Sequence, residues 1–183
     1  MRMKKIFYYR SFGYRKIPFQ FVLEGPAFLI NVWHQQGYLL ATEGNVVNYD
    51  FIEKFIEDLG KKYHILEIAV DRWNATMRTQ HFMDDGFTMV PFGQGYKDMS
   101  PATKEFSKLL FEGKIIHGGN PVLRWMAGNV VVETDAAENI KVTKAKSPEK
   151  IDGIVATIMA LDRAVRNQGD TSSIYDERGI MFL

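Results

Sequence analysis

The stretch His64-Ile65-Leu66-Glu67-Ile68-Ala69-Val70-Asp71-Arg72-Trp73-Asn74-Ala75 constrains the fold most, because an apolar run ends there abruptly in a carboxylate. The run is too short for a helix and is bracketed by polar residues, which is the pattern of a buried, parallel strand. Just before it, Phe51, Ile52, Phe55, Ile56 and Leu59 make one stripe of an amphipathic helix over residues 49–63, with Glu53, Lys54, Glu57, Asp58 and Lys61 turned to water. Asn48 or Asp50 caps its start and Gly60 loosens its end. Gly37 to Thr42 reads as a strand ahead of that helix. A strand, helix, strand order demands an α/β fold with a crossover. In open α/β sheets chemistry collects beyond the carboxyl ends of the strands, where Asp71 falls. An aspartate there also serves as an N-cap for the next helix.

The chain has 183 residues, 46% of them hydrophobic and 13% aromatic, which is the material of one domain with a sizeable core. A formal charge of +1 gives no global signature of nucleic-acid binding, so any such surface has to be a local patch. With no cysteine, disulfide scaffolds and thiolate metal sites are excluded. His34, His64, His81 and His117 show no ligand spacing, which argues against zinc. No apolar run is long enough to span a bilayer. The basic, then apolar start breaks after Tyr9, too soon for a signal peptide.

In chain order, Ile6 to Tyr9 and Phe19 to Leu23 are candidate strands around a turn at residues 11–14. Gly25-Pro26 breaks the chain before a helix at Ala27 to Trp33. Asn74 to Asp85 reads as a helix stopped by Gly86, and Phe87 to Phe92 as a strand with Pro91 at an edge. Gly93-Gln94-Gly95-Tyr96 is a loop without the Gly-Lys-Ser/Thr ending of a phosphate loop. Ser100-Pro101 starts a helix with Phe106, Leu109 and Leu110 inward and Lys104, Lys108 and Lys114 outward. Pro121 to Ala127 is a short helix. Asn129 to Thr134 and Asn139 to Thr143 pair as a hairpin. Ser147 and Pro148 are the N-cap and first turn of a last helix running to about Asn167, with Ile151, Ile154, Val155, Ile158, Leu161 and Val165 on one face. Asp152 lies beside that face, and Gly153 permits close approach to a strand. Residues 168–183 read as a mobile, mostly polar tail.

Asp71 and Asp152 form the leading constellation. Carboxylates converging on a strand edge suit two Mg²⁺ or Mn²⁺ ions about 4 Å apart, with phosphate oxygens and water as the other ligands. Two aspartates bring too little charge for two such ions, so a third acid is expected. No aspartate precedes Asp50, and before it Glu24 and Glu43 supply the carboxylates.

Gly37 to Asp50, Val70 to Ala75, Gly93 to Ser100, His117 to Trp125 and Lys150-Ile151-Asp152-Gly153 together resemble the nuclease domain of tailed-bacteriophage terminase large subunits. Five separated motifs agree in order and spacing over about residues 33–167. The resemblance implies an α/β, ribonuclease H-like fold, with a mixed central sheet flanked by helices, and metal-dependent DNA cleavage during genome packaging. It implies a cluster of acids on the family's first strand, on the strand ending at Asp71, and near the start of the final helix at Asp152. The last two carry over onto this sequence. The family's opening strand, with its aspartate, and the ATPase domain have no counterpart here, and no Walker-type motif or ATP site occurs. Residues 1–32 form an atypical N-terminal segment, in which Glu24 is the candidate replacement acid.

The resemblance further implies double-stranded DNA as substrate, the bacterial host cytoplasm as location and no membrane partner. The ATPase domain, small terminase subunit and portal of a packaging motor would be its partners. Arg72, Lys97 and Arg124 are candidates for DNA-backbone contact. Asn74 and Asn120 either orient water or phosphate, or cap turns. His117 is either functional or a turn residue bonded to backbone. Trp73 and Trp125 are expected in the core rather than as base-stacking platforms. Lys141, Lys144, Lys146 and Lys150 form either a solvated face or a phosphate-contact patch. The rival to an active nuclease is a silent remnant of that domain, short of one acid, which binds DNA weakly or dimerises through an exposed sheet edge.

Overall fold

A computed structural model describes residues 7–8, 26–42, 49–72 and 77–167. The order of elements is β1 (Phe7–Tyr8), α1 (Pro26–Gln35), β2 (Leu39–Leu40), α2 (Tyr49–Lys62), β3 (Ile68–Asp71), α3 (Met77–Asp84), β4 (Met89–Phe92), α4 (Tyr96–Phe111), α5 (Pro121–Gly128), β5 (Val132–Thr134), β6 (Ile140–Val142) and α6 (Asp152–Arg166). This is an α/β architecture in which helices alternate with short strands, as the hydrophobic periodicity requires.

Among the described residues the strands form three two-stranded ladders rather than one mixed central sheet. β1 pairs in parallel with β2, β3 in parallel with β4, and β5 antiparallel with β6. Local chemistry accounts for two of the interruptions. The Ile68 and Arg72 N–H groups donate to Thr88 and Phe92, so Pro91 faces away from β3 and has no N–H to offer a further strand. On the hairpin, the Ile140 N–H donates to the Ser100 hydroxyl of α4 at 3.2 Å, so a helix lies against β6.

Several element starts differ from those expected. The strand begins at Ile68, not His64, and is half-buried throughout, with Leu66 59% exposed just before it. α4 begins at Tyr96 with Gly95 as N-cap, which leaves Pro101 inside the helix. Ser100 does not cap, because it is buried and its hydroxyl serves the hairpin. α6 begins at Asp152 rather than at Ser147. Ser147 is withdrawn from capping because its hydroxyl donates to Thr143 O at 2.7 Å and accepts from Val131 N–H at 3.2 Å. Gly60 lies within α2, where a Cβ would stand 2.7 Å from the Phe87 ring, so its bareness makes room for that ring.

The core is built on α6. Ile151, Ile154, Val155, Ile158 and Met159 meet Met99 and Ala102 of α4, Val122 and Met126 of α5, Val142 of β6, and Phe92, Leu39 and Trp33. Ile158 is fully buried, whereas Leu110 of α4 and Val165 of α6, both expected inward, are exposed. Gly153 makes its close approach to α5 rather than to a strand, its N–H lying 3.2 Å from Met126 Sδ.

Candidate active site

Parallel pairing aligns the carboxyl ends of β3 and β4, with Asp71 opposite Phe92. The same register sends Gln94, two residues past Phe92, off the edge where Asp71 ends. At the other end of β3, the Arg163 guanidinium of α6 grips the Glu67 carboxylate, Nε to Oε2 at 2.7 Å and Nη2 to Oε1 at 3.3 Å. From that clasp the strand runs roughly 13 Å forward to Asp71 at about 3.3 Å per residue. The helix runs roughly 16 Å back to Asp152 at about 1.5 Å per residue. Both therefore reach the same end of the molecule. There Asp71 and Asp152 line one cleft of about 420 Å³, with Gln94, Lys141, Thr143 and Lys144 as its other polar members and Val142, Val155, Ala156 and Met159 as its apolar floor.

Asp152 is the first residue of α6, where the partial positive charge of a helix N-terminus favours a carboxylate. The Lys144 ammonium pairs with its Oδ1. The other hairpin lysines have different partners. Lys141 lies 3.1 Å and Lys146 3.0 Å from the Glu133 carboxylate, and Lys141 also stands 4.9 Å from the centre of the Tyr96 ring. Hydrogen bonds from Lys146 and then Lys141 hold the Glu133 carboxyl below the usual range. Burial, and after it the Glu133 charge, raises the Tyr96 phenol. The Gln94 amide lies 3.5 Å from Met159 Sδ, a weak contact that steadies it against the cleft wall.

Two carboxylates are hard oxygen donors of the kind Mg²⁺ and Mn²⁺ take. Among the described residues, no group of three or more His, Asp or Glu side chains converges on one point. The ammonium on Asp152 is no bar to a divalent ion, since both side chains are more than half exposed and surface pairs of this kind are weak.

The family model for the terminase large subunit endonuclease domain matches residues 27–168. The chain belongs to the terminase large-subunit nuclease family. It is 37% identical over 140 residues to the terminase large subunit of Enterobacteria phage HK97, covering 73% of this chain and 27% of that protein. It is 33% identical over 135 residues to Protein YmfN of Escherichia coli K12, covering 73% and 30%. Against the terminase large subunit of Lactococcus phage SK1 it is 30% identical over 107 residues, 58% of this chain and 18% of the relative. The crystal structure of the HK97 large terminase superposes with a TM-score of 0.66 at 37% identity, over 70% of this chain and 27% of that one. The chain thus spans less than a third of the length of these relatives.

Around this terminase cleft, the other residues singled out in the sequence are placed elsewhere among the described residues. Arg72 follows Asp71 and reaches Asp98 at 3.5 Å. Asp98 sits in the first turn of α4, its carboxylate lying over Gly93. Lys97 and Arg124 are exposed on α4 and α5. The Asn120 side chain is buried and caps α5, accepting the Leu123 N–H at 2.9 Å. His117 Nδ1 accepts the Gly119 N–H at 3.2 Å within an exposed turn. Trp125 packs on Trp33 with ring centres 5.6 Å apart, a core pairing rather than a stacking platform. Glu24, Trp73 and Asn74 lie outside the described residues. Gln94 and the Glu67–Arg163 clasp were not singled out in the sequence. For Gln94 a signal existed, its place just beyond a strand parallel to β3. For the clasp there was none, because an ion pair distant in sequence leaves no local pattern.

Proposed function

We propose that this chain is the endonuclease module of a phage DNA-packaging terminase, hydrolysing phosphodiesters of double-stranded DNA with two Mg²⁺ or Mn²⁺ ions on a ribonuclease H-like scaffold. The observation that carries the reading is that Asp71 and Asp152, distant in sequence, line the same cleft. Asp71 and Asp152 would hold the metal. When bound, divalent ions supply the positive charge that makes water nucleophilic near neutral pH and stabilises the leaving oxygen. The chain's own part is to fix both carboxylates from rigid elements, β3 and α6, and to set ammonium groups on the cleft wall where a phosphate would lie. The substrate and packaging partners, namely the ATPase domain, small subunit and portal, follow from kinship with terminases, as does a place in the host cytoplasm. No helix among the described residues is long and apolar enough to cross a membrane.

The test is nicking of supercoiled plasmid by the purified chain in Mn²⁺. Asp71→Asn and Asp152→Asn should each reduce it by about a hundredfold or more, several kcal/mol of transition-state stabilisation. Undiminished nicking in both variants would refute the assignment. A second reading, a silent remnant that folds but does not cut, is motivated by the sequence, in which no aspartate precedes Asp50. A folded chain that neither cleaves nor gives heat on Mn²⁺ titration would decide for it.

A further inference from the structure

Lys144 and Asp152 face each other from two firmly held stretches of main chain. Next to Lys144, Thr143 is buried, its N–H donates to Val131 O at 2.9 Å, and its carbonyl accepts the Ser147 hydroxyl. Next to Asp152, Ile151 is buried in the core. The side chains themselves are open, 59% and 53% exposed. Such a pair is fixed in place yet easily exchanged. The neighbouring lysines share Glu133, so the ammonium on the candidate metal-binding carboxylate comes from Lys144.

We propose that Lys144 is a resident counter-cation of the cleft, neutralising Asp152 until a divalent ion displaces it and then engaging a phosphate of the bound DNA strand. The inference rests on reading Asp71 and Asp152 as metal ligands. An ammonium and a divalent ion repel at one carboxylate oxygen, so they compete there. The released ammonium is tethered in the cleft, next to the only kind of anion the substrate backbone offers. Metal loading and phosphate binding are then linked, each promoting the other.

Calorimetric titration with Mn²⁺ alone tests the first half. Lys144→Gln should tighten Mn²⁺ binding about two- to fivefold, the worth of an exposed ion pair. Lys144→Arg should behave as the parent chain. Lys146→Gln removes the same charge beside Glu133 and should change nothing. Thermal melting of each variant establishes that it is folded. Unchanged affinity in Lys144→Gln, with binding lost in Asp152→Asn, would overturn the role of Lys144 and leave the metal site standing. Undiminished Mn²⁺ binding in both Asp71→Asn and Asp152→Asn would overturn both. For the second half, a short duplex is titrated at several salt concentrations in Ca²⁺ and in EDTA. Lys144→Gln should shrink the salt dependence by about one phosphate contact in Ca²⁺ and leave it alone in EDTA. An equal effect in both media, or none, would refute the exchange.

Discussion

Arg163 and Glu67 join the last helix to the strand that carries Asp71, through two hydrogen bonds that use both carboxylate oxygens. The pair is mostly shielded, with side chains 23% and 18% exposed, and Arg163 is further braced by Asp162 at 3.9 Å. Because the clasp sits at the opposite end of β3 from Asp71, it sets the angle at which β3 and α6 bring their acids together. A fork-to-carboxylate geometry suits that task, since two parallel bonds fix orientation as well as distance.

Arg163→Met should therefore lower the melting temperature at neutral pH, and the deficit should vanish in acid. The Arg163 hydrogen bond holds the Glu67 carboxyl below its ordinary range, against burial, which raises it. A carboxylate depressed on folding contributes fully above its unfolded pKa of about 4.3 and loses that contribution as pH falls through its lower folded value. Melting curves of the parent and Arg163→Met should converge as the pH falls from neutral through the carboxylate range. A gap of constant size across that range would show that Arg163 acts by packing alone.

Gly93→Ala should disturb Arg72 through Asp98. A Cβ on Gly93 would lie 2.1 Å from Asp98 Oδ2, so the carboxylate must swing away from the Arg72 guanidinium. The overlapped atom is the free end of a partly exposed side chain that can turn aside, so the cost is small, about 1 kcal/mol or less. The double variant Gly93→Ala, Asp98→Ala should be less destabilised than the sum of the two single changes, because removing the carboxylate makes the room. Additive losses in urea denaturation would refute the clash.

What the sequence makes legible is whatever leaves a periodic or local trace. The stripe Phe51, Ile52, Phe55, Ile56, Leu59 announces α2, the Asp135 turn announces the β5–β6 hairpin, and Asn120-Pro121 announces α5. Asp135 accepts the Ala137 and Asn139 N–H groups, a local bond with a local signature. The misplaced starts of α4 and α6 share a cause, because Ser100 and Ser147 look like N-caps but their hydroxyls are claimed by the hairpin. Tertiary partners of that kind cannot be read from neighbours in sequence. Asp71 is legible from its place at a strand end and Asp152 from its place beside the apolar face of the last helix together with the family resemblance, whereas the ammonium of Lys144 on Asp152 depends on how a turn folds back.

Ser147→Ala should cost about 1–3 kcal/mol, because it strands the Val131 N–H and removes a bond to Thr143 O. The substitution that separates the two roles is Ser147→Asp. An aspartate is as good an N-cap as serine, so a capping role predicts no loss. A carboxylate cannot donate to Thr143 O, so the hairpin role predicts a clear one. Urea melts of the two variants distinguish these outcomes.

Asn120→Ala should destabilise the chain by about 0.5–2 kcal/mol, the range for a lost N-cap. The Asn120 side chain is 5% exposed and its oxygen takes the Leu123 N–H at the start of α5, whose Val122 and Met126 are in the core. Loosening that first turn therefore reaches α6 through Met126, which lies against the Gly153 N–H one residue from Asp152. Asn120→Ser keeps an acceptor at the same place in a smaller side chain and should recover most of the loss. If Ser and Ala prove equally destabilising in chemical denaturation, the amide is needed for something other than the Leu123 N–H, and the cap is not its principal role.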